Sequence, residues 1–418
     1  MGLLDGVRVL DFGLYGAGPF CPRHLANLGA DVIKVESLAG DPIRHFPPAV
    51  TADGGYLFHF YNTDKRSLAI DLKSPEGREI ARSLIARSDV VVESYVPGVM
   101  QRLGLGYEVA RELNPGIIYC SISGYGQSGP SAGRRALDTA IQATSGAMHV
   151  TGWADGPPTK LGVSIGDGIA PVVATTAILA ALRSKLLDGK GRYIDIAMQE
   201  SLAWLLQPEW NRYRASADAA PESRLGNRGR DHAPDNLYPT RDEWVAISCP
   251  TDQDWVSLAA AMGQPALAAD ARFDGSATRL AHGVQLDAIV AAWTGTLDSA
   301  AVLDACSRRG VPASRCIHPV DVLDRDDLRQ RGMVVDLAAA GGRSVAMVGS
   351  PFRLSRTPGI AGSLGPAIGE HSAQVLRQVL ELSDERIAEL GKAGVIRLAR
   401  TTASDAAPDP VAAAGNGP

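Results

Sequence analysis

Short runs of β-branched and aliphatic residues alternate with helical segments from about residue 6 to residue 200. GVRVLDF predicts a buried strand, AGPFCPRHLANLGA a helix closed by Gly29, and DVIKVES the next strand. RSLAIDL, SPEGREIARSLIARS, DVVVESY, a helix from Gln101 to Leu113 and GIIYCSIS repeat the theme. Ser74 and Pro75 supply an N-cap and a first helical residue, with Glu76 and Glu79 favourable in the first turn. Strand, crossover helix and parallel strand in succession predict a doubly wound α/β sheet, Rossmann-like in its winding.

The pattern then changes. NRYRASADAAPESRLGNRGRDHAPDNLYPT has no sustained period and reads as a long connection of the kind that bridges domains. WVAISCP predicts a strand, and DQDWVSLAAAMG, ATRLAHGVQLDAIVAAWTG and DSAAVLDACSRRG predict helices. The expected organisation is a large α/β domain beginning at 1–205, a linker at 206–224, a smaller α+β domain at 225–320 and a return segment at 321–398 that completes the large domain. Residues 399–418, poor in large apolar side chains, are expected to be a disordered tail.

Composition narrows the class. At 418 residues the chain exceeds what one hydrophobic core usually supports, and 45% hydrophobic with 21% charged residues is ordinary for a globular protein. A net charge of −5 speaks against a general nucleic-acid partner. Five cysteines without a C-x-x-C pair suggest no disulfide framework or zinc ribbon and a reducing, cytoplasmic home. No signal peptide is visible at the N-terminus, and no apolar run is expected to reach the roughly 20 residues that cross a bilayer.

Two carboxylates stand out as candidate chemistry. Asp167, in LGVSIGDGIAPVVATTAILAAL, lies between two glycines that leave its side chain reachable, just where a long run of small and apolar residues begins. That is a seat for a carboxylate nucleophile, and equally a place for a helix N-cap. Asp138, in RRALDTAIQATSG, would either share the chemistry or cap its own helix. The turn after the first strand, Gly13 to Pro19, does not spell G-x-G-x-x-G, which disfavours a nicotinamide enzyme. The histidines show no metal-ligand spacing and no G-x-S-x-G elbow occurs, so neither a metal centre nor a serine hydrolase is expected. Lys73, Arg102 and Arg135 stand near predicted strand ends, where a doubly wound sheet binds ligands and where bases hold phosphates.

Taken together, LDGVRVLDFGLYGAGPFCPRHLANLGADVIKVES, FYNTDKRSLAIDLKSPEG, DVVVESYVPGVMQRLGLGYEVARELNPGIIYCSISGYGQSGP, LDTAIQATSGAMHVTGWADGPP and GVSIGDG resemble the class III CoA-transferases of the CaiB/BaiF type, from about residue 4 to residue 396. This group includes formyl-CoA and carnitine CoA-transferases and methylacyl-CoA racemases. The resemblance implies that Asp167 is the catalytic aspartate, with Asp138 the acidic residue near it. It implies CoA contacts from Tyr15, Gly16, Ala17, Lys73, Ser94, Tyr95, Arg102 and Arg135. It further implies an acyl-CoA and a carboxylic acid as substrates, no resident cofactor beyond that CoA, and an interlocked homodimer. Racemases of the group carry His immediately before this Asp, where the chain has Leu137, so two-base proton transfer is disfavoured. Leu14, Gly16 and Ser37 depart from the formyl-CoA transferase pattern, which points away from oxalate and formate.

Overall fold

The computed structural model describes residues 2–215, 224–339, 342–356 and 362–399. The expected tail lies outside these residues from position 400 on, as do residues 216–223 of the expected linker. The described residues divide into two compact units, one drawn from 2–145, 161–208 and 325–399, the other from 146–160 and 209–324.

The larger unit is built on a seven-stranded sheet. Its strands are β1 (Arg8–Phe12), β2 (Asp31–Glu36), β3 (Arg66–Ile70), β4 (Val90–Glu93), β5 (Ile118–Ser123), β6 (Arg192–Ala197) and β7 (Ile396–Arg397), in the order β7-β3-β2-β1-β4-β5-β6. All pairs are parallel except β7 with β3. Chain order runs outward from β1 in both directions, so β1 and β4 flank the point where the winding reverses and a crevice opens beyond the carboxyl ends. Leu10, which pairs with Ile33 on one side and Val91 on the other, anchors the register in a fully buried row. Such two-sided burial explains the near-continuous apolar runs in sequence.

Seven α-helices fall between β1 and β6 along the chain: α1 (Ala17–Asn27), α2 (Tyr56–Asn62), α3 (Pro75–Ala86), α4 (Val99–Arg102), α5 (Tyr107–Leu113), α6 (Asp138–Ser145) and α7 (Ile165–Asp188). Ile80, Leu84 and Ile85 of α3 pack with Leu10, Leu68 and Tyr119 of the sheet, joined by Val375, Leu376 and Leu390 of the C-terminal helices. Ser74 caps α3 by accepting from the Gly77 N–H at 2.9 Å, as its sequence predicts. The single helix expected from Gln101 to Leu113 is instead two, α4 and α5. Gly104 at φ 71° ends the first and Gly106 stands at the N-cap of the second, a left-handed step that no uninterrupted helix contains.

α7 corrects another expectation. Its 24 residues are long and apolar enough to cross a bilayer by length and composition alone. It instead packs on α1, β5 and β6 of the larger unit, burying Ala170, Ala174, Thr175, Ile178 and Ala181.

The smaller unit has a three-stranded antiparallel sheet of Ala313–Arg315, Trp244–Ser248 and Asp235–Pro239. The helices Asp252–Ala261, Gly283–Thr294 and Ser299–Ser307 cover it around Trp255, Phe273, Tyr238 and Leu286. The sequence pattern reads Asp235–Pro239 as connection, and the structure makes it a strand. Its own pattern is weak, and pairing with the strongly β-forming Trp244–Ser248 decides its state.

Candidate active site

The turn Gly13–Gly16 leaves β1 and opens α1 at Ala17. Two buried cations hold its ends. Lys34 of β2 donates to the Gly13 carbonyl at 2.9 Å and pairs with Asp41 at 2.9 Å. Lys65 donates to the Pro19 carbonyl at 2.7 Å and pairs with Asp11 of β1 at 2.7 Å. The other Asp11 oxygen accepts the Gly13 N–H at 2.8 Å, and the Tyr15 N–H reaches Asp41 at 3.3 Å. Lys65 also donates to Asn62 Oδ1 at 2.8 Å, so both ammonium groups are spent inside the protein and the network fixes the turn's shape. Tyr15 is held at φ 62°, a left-handed conformation that bulky residues seldom adopt.

Asp167 comes to this turn from the opposite side. It is the third residue of α7, so the N-cap position belongs to Ser164, which offers no side-chain bond. The cap comes from elsewhere. Asp138 Oδ1 accepts from the Gly166 N–H at 2.8 Å and the Asp167 N–H at 3.4 Å, while Oδ2 accepts from Gln142 Nε2 at 2.7 Å. Gln142 also binds the Val163 carbonyl at 3.1 Å and the Leu161 N–H at 2.9 Å, gripping the chain as it enters α7. Asp138 therefore caps not its own helix but the one that carries Asp167, satisfying N–H groups that would otherwise be orphaned.

A Cβ built on Gly16 would lie 2.9 Å from both Cγ and Oδ2 of Asp167. Only glycine lets the turn come so close. The Ala17 N–H, first of α1, faces the same carboxylate, which thus sits where two helix N-termini converge. Burial nevertheless dominates. It raises Asp167, with help from the Asp138 charge and against the Ala17 N–H, to about 6. At neutral pH the group is ionised, poorly solvated and rigidly aimed, which are the properties of a carboxylate nucleophile.

Tyr61 of α2 stands nearby. Its ring packs against Phe20 at 5.4 Å and Phe60 at 4.8 Å. Burial, then the charges of Asp167 and Asp138, push the phenol up to about 12, so it remains a donor.

The structure brings Gly16, Ala17, Asp138 and Asp167 into direct contact. Tyr15 lies in the same turn with a partly exposed ring. Ser94, just beyond β4, accepts the Leu14 N–H at 3.0 Å and so supports that turn, while the Tyr95 N–H binds Glu93 at 2.8 Å and its ring packs on the core. Lys73, Arg102 and Arg135 are exposed on segments following β3, β4 and β5, beyond the carboxyl edge of the sheet. None of these three forms a hydrogen bond with the Asp167 cluster among the described residues.

Sequence reasoning passed over Asp11, Lys34, Asp41 and Lys65. A signal was present: Asp11, Lys34 and Glu36 are charges inside the strand runs VLDF and VIKVE, whose remaining residues are all apolar. Charges there are buried only when paired.

Comparison with known proteins finds relatives over most of the chain. Residues 4–372 match the profile of CoA-transferase family III. The chain is 39% identical over 386 residues to a succinyl-CoA:mesaconate CoA-transferase of Haloarcula hispanica, covering 90% of this chain and 96% of that protein. It is 36% identical to a succinate–glutarate CoA-transferase of Agrobacterium fabrum, over 90% of this chain and 95% of the relative. Among solved structures, a CaiB/BaiF family protein from Brucella suis superposes with a TM-score of 0.81 at 34% identity, over 90% of this chain and 99% of that one.

Proposed function

The chain belongs to CoA-transferase family III, and from that premise we propose that it moves CoA between two carboxylic acids through a covalent intermediate on Asp167. The observation that carries the proposal is the meeting of the Asp167 carboxylate with Gly16 and the first N–H of α1 at the carboxyl edge of the sheet.

An Asp167 oxygen attacks the donor thioester carbonyl, the C–S bond breaks, and CoA thiolate leaves a mixed anhydride. The thiolate then attacks the aspartyl carbonyl carbon and releases the donor acid, giving an aspartyl-CoA thioester. The acceptor carboxylate attacks that thioester, expels the thiolate and forms a second anhydride. Thiolate attack on its acyl carbonyl frees the new acyl-CoA and restores Asp167. Covalent catalysis keeps the thioester's energy from being lost to water. The N–H groups of α1 supply donors where negative charge develops.

In this reading Tyr15, Gly16, Ala17, Ser94 and Tyr95 shape the thioester end of the CoA site, and Lys73, Arg102 and Arg135 meet its phosphates. CoA is a substrate and no resident cofactor takes part. Leu137, 69% exposed immediately before Asp138, offers no proton-transfer group, so the reading is CoA exchange and not racemisation. An interlocked homodimer is part of the same proposal, in keeping with the exposed apolar residues Val172, Leu186 and Leu187 of α7. A cytoplasmic location accords with five unpaired cysteines.

Incubation with acyl-CoA followed by hydroxylamine should convert Asp167 to a hydroxamate, located by peptide mass. An unmodified Asp167 peptide from enzyme that is turning over would overturn the proposal.

A further inference from the structure

Five cationic side chains are buried among the described residues: Arg23, Lys34, Arg44, Lys65 and Arg279. Four have a carboxylate. Lys34 pairs with Asp41 at 2.9 Å, Arg44 with Glu36 at 2.6 Å, Lys65 with Asp11 at 2.7 Å and Arg279 with Asp252 at 2.6 Å. Arg23, only 2% exposed, has none within ion-pair distance among the described residues. One Nη donates to the Val348 carbonyl at 2.7 Å, and Nε is buried with no acceptor. The guanidinium lies over the Phe60 ring at 4.7 Å and near Phe20 at 5.7 Å, which leaves its hydrogen-bonding edge free of the stack. Asp64, which tempers its charge, spends Oδ1 on the Gly362 and Ser363 N–H groups at 2.8 Å each. A buried charge without a counter-ion is among the costliest arrangements a fold can hold. Burial draws this guanidinium down to about 10.

The position of that charge is informative. Arg23 is on α1, the helix whose first N–H faces Asp167. Six residues of helical rise put it about 9 Å along the axis from Ala17. Phe20, between Ala17 and Arg23 on that helix, meets the Tyr61 ring edge-on at 5.4 Å. The Tyr61 hydroxyl is raised by burial and by the charges of Asp167 and Asp138 and lowered by that of Arg23, and it has no hydrogen-bond partner among the described residues.

We propose that Arg23, with the Tyr61 hydroxyl beside it, is a second-carboxylate subsite, holding the far carboxylate of a short dicarboxylic acyl group whose reacting carbonyl is at Asp167. This rests on the CoA-transfer reading and adds the substrate class. One aspartate serves both half-reactions, so donor acyl group and acceptor acid occupy the same pocket in turn, and one cation selects both. Arg is suited to the task because its planar fork meets a carboxylate with two parallel bonds. Half-buried Phe20 is the ring that yields to admit the ligand.

The test compares wild type with Arg23→Met, Arg23→Lys and Tyr61→Phe. Transfer rates are measured with succinate and glutarate against butyrate and valerate as acceptors, and hydroxylamine trapping with succinyl-CoA against butyryl-CoA. The preference for dicarboxylic over monocarboxylic partners, as a ratio of kcat/KM, should fall roughly 10–100-fold in Arg23→Met, the range for losing a hydrogen-bonded charge. It should fall less in Arg23→Lys, which also decides the matter if the Met variant does not fold. A wild type without that preference, or a ratio unchanged within about threefold in both Arg23 variants, overturns the subsite. Succinate binding to resting enzyme, measured by calorimetry, separates the two proposals. Binding abolished by the Arg23 substitutions supports the subsite even if Asp167 is never trapped, and binding unaffected by them refutes it even if Asp167 is trapped.

Discussion

Replacing Asp167 by Asn should make the folded protein more stable at alkaline pH than the wild type, by an amount that depends on pH. The folded carboxyl titrates near 6, the unfolded one near 3.9. Because the folded value is the higher, the stability this group contributes is fully present below the unfolded value and is lost as pH rises through 6. Over the whole range the loss is about 3 kcal/mol, from two pKa units at about 1.4 kcal/mol each. Asn keeps an oxygen toward the Ala17 N–H and does not titrate. The stability of the variant relative to wild type should therefore grow by about 1.4 kcal/mol between pH 5 and pH 8. Paired thermal melts at each pH read this as a divergence of on the order of 2 °C. A difference that stays flat, or narrows as pH rises, would refute the claim that burial and the Asp138 charge hold Asp167 in a strained, reactive state.

The same energetics predict three further results. The acid limb of kcat/KM for the donor half-reaction should fall near pH 6 in wild type and move to lower pH in Asp138→Asn, since removing a neighbouring negative charge eases ionisation; a limb that does not move would show that Asp138 acts only as a cap. Gly16→Ala puts a methyl 2.9 Å from the Asp167 carboxyl; single-turnover trapping should slow about 100-fold while the melting temperature barely changes. Lys65→Met strands Asp11 beneath the turn without its 2.7 Å partner, and urea unfolding should report a loss of roughly 3–5 kcal/mol.

Much of the larger unit was legible because its strands are short, β-branched and regularly spaced between capped helices. Asp167 was legible through the glycines on either side of it and the apolar helix that begins there. The relation of Asp138 to Asp167 was not. A side chain that caps a helix 28 residues away leaves no local trace, and both aspartates look like caps of their own helices. The charged layer under Gly13–Pro19 was hidden for a related reason: Lys34 and Asp41, or Lys65 and Asp11, become partners only when the sheet is assembled. Arg23 is the sharper case. In sequence it is one more base on a helix; only burial without a counter-ion marks it.

Oxygen exchange tests the central claim most directly. If the acceptor acid is labelled with oxygen-18 in its carboxyl group, attack on the aspartyl-CoA thioester makes a labelled oxygen the anhydride bridge, and thiolate attack on the acyl carbon leaves that oxygen on the enzyme. After turnover, peptide mass should find the label in Asp167 of wild type and none in the matching peptide of Asp167→Asn. Sustained CoA transfer with no label in Asp167 would contradict the account.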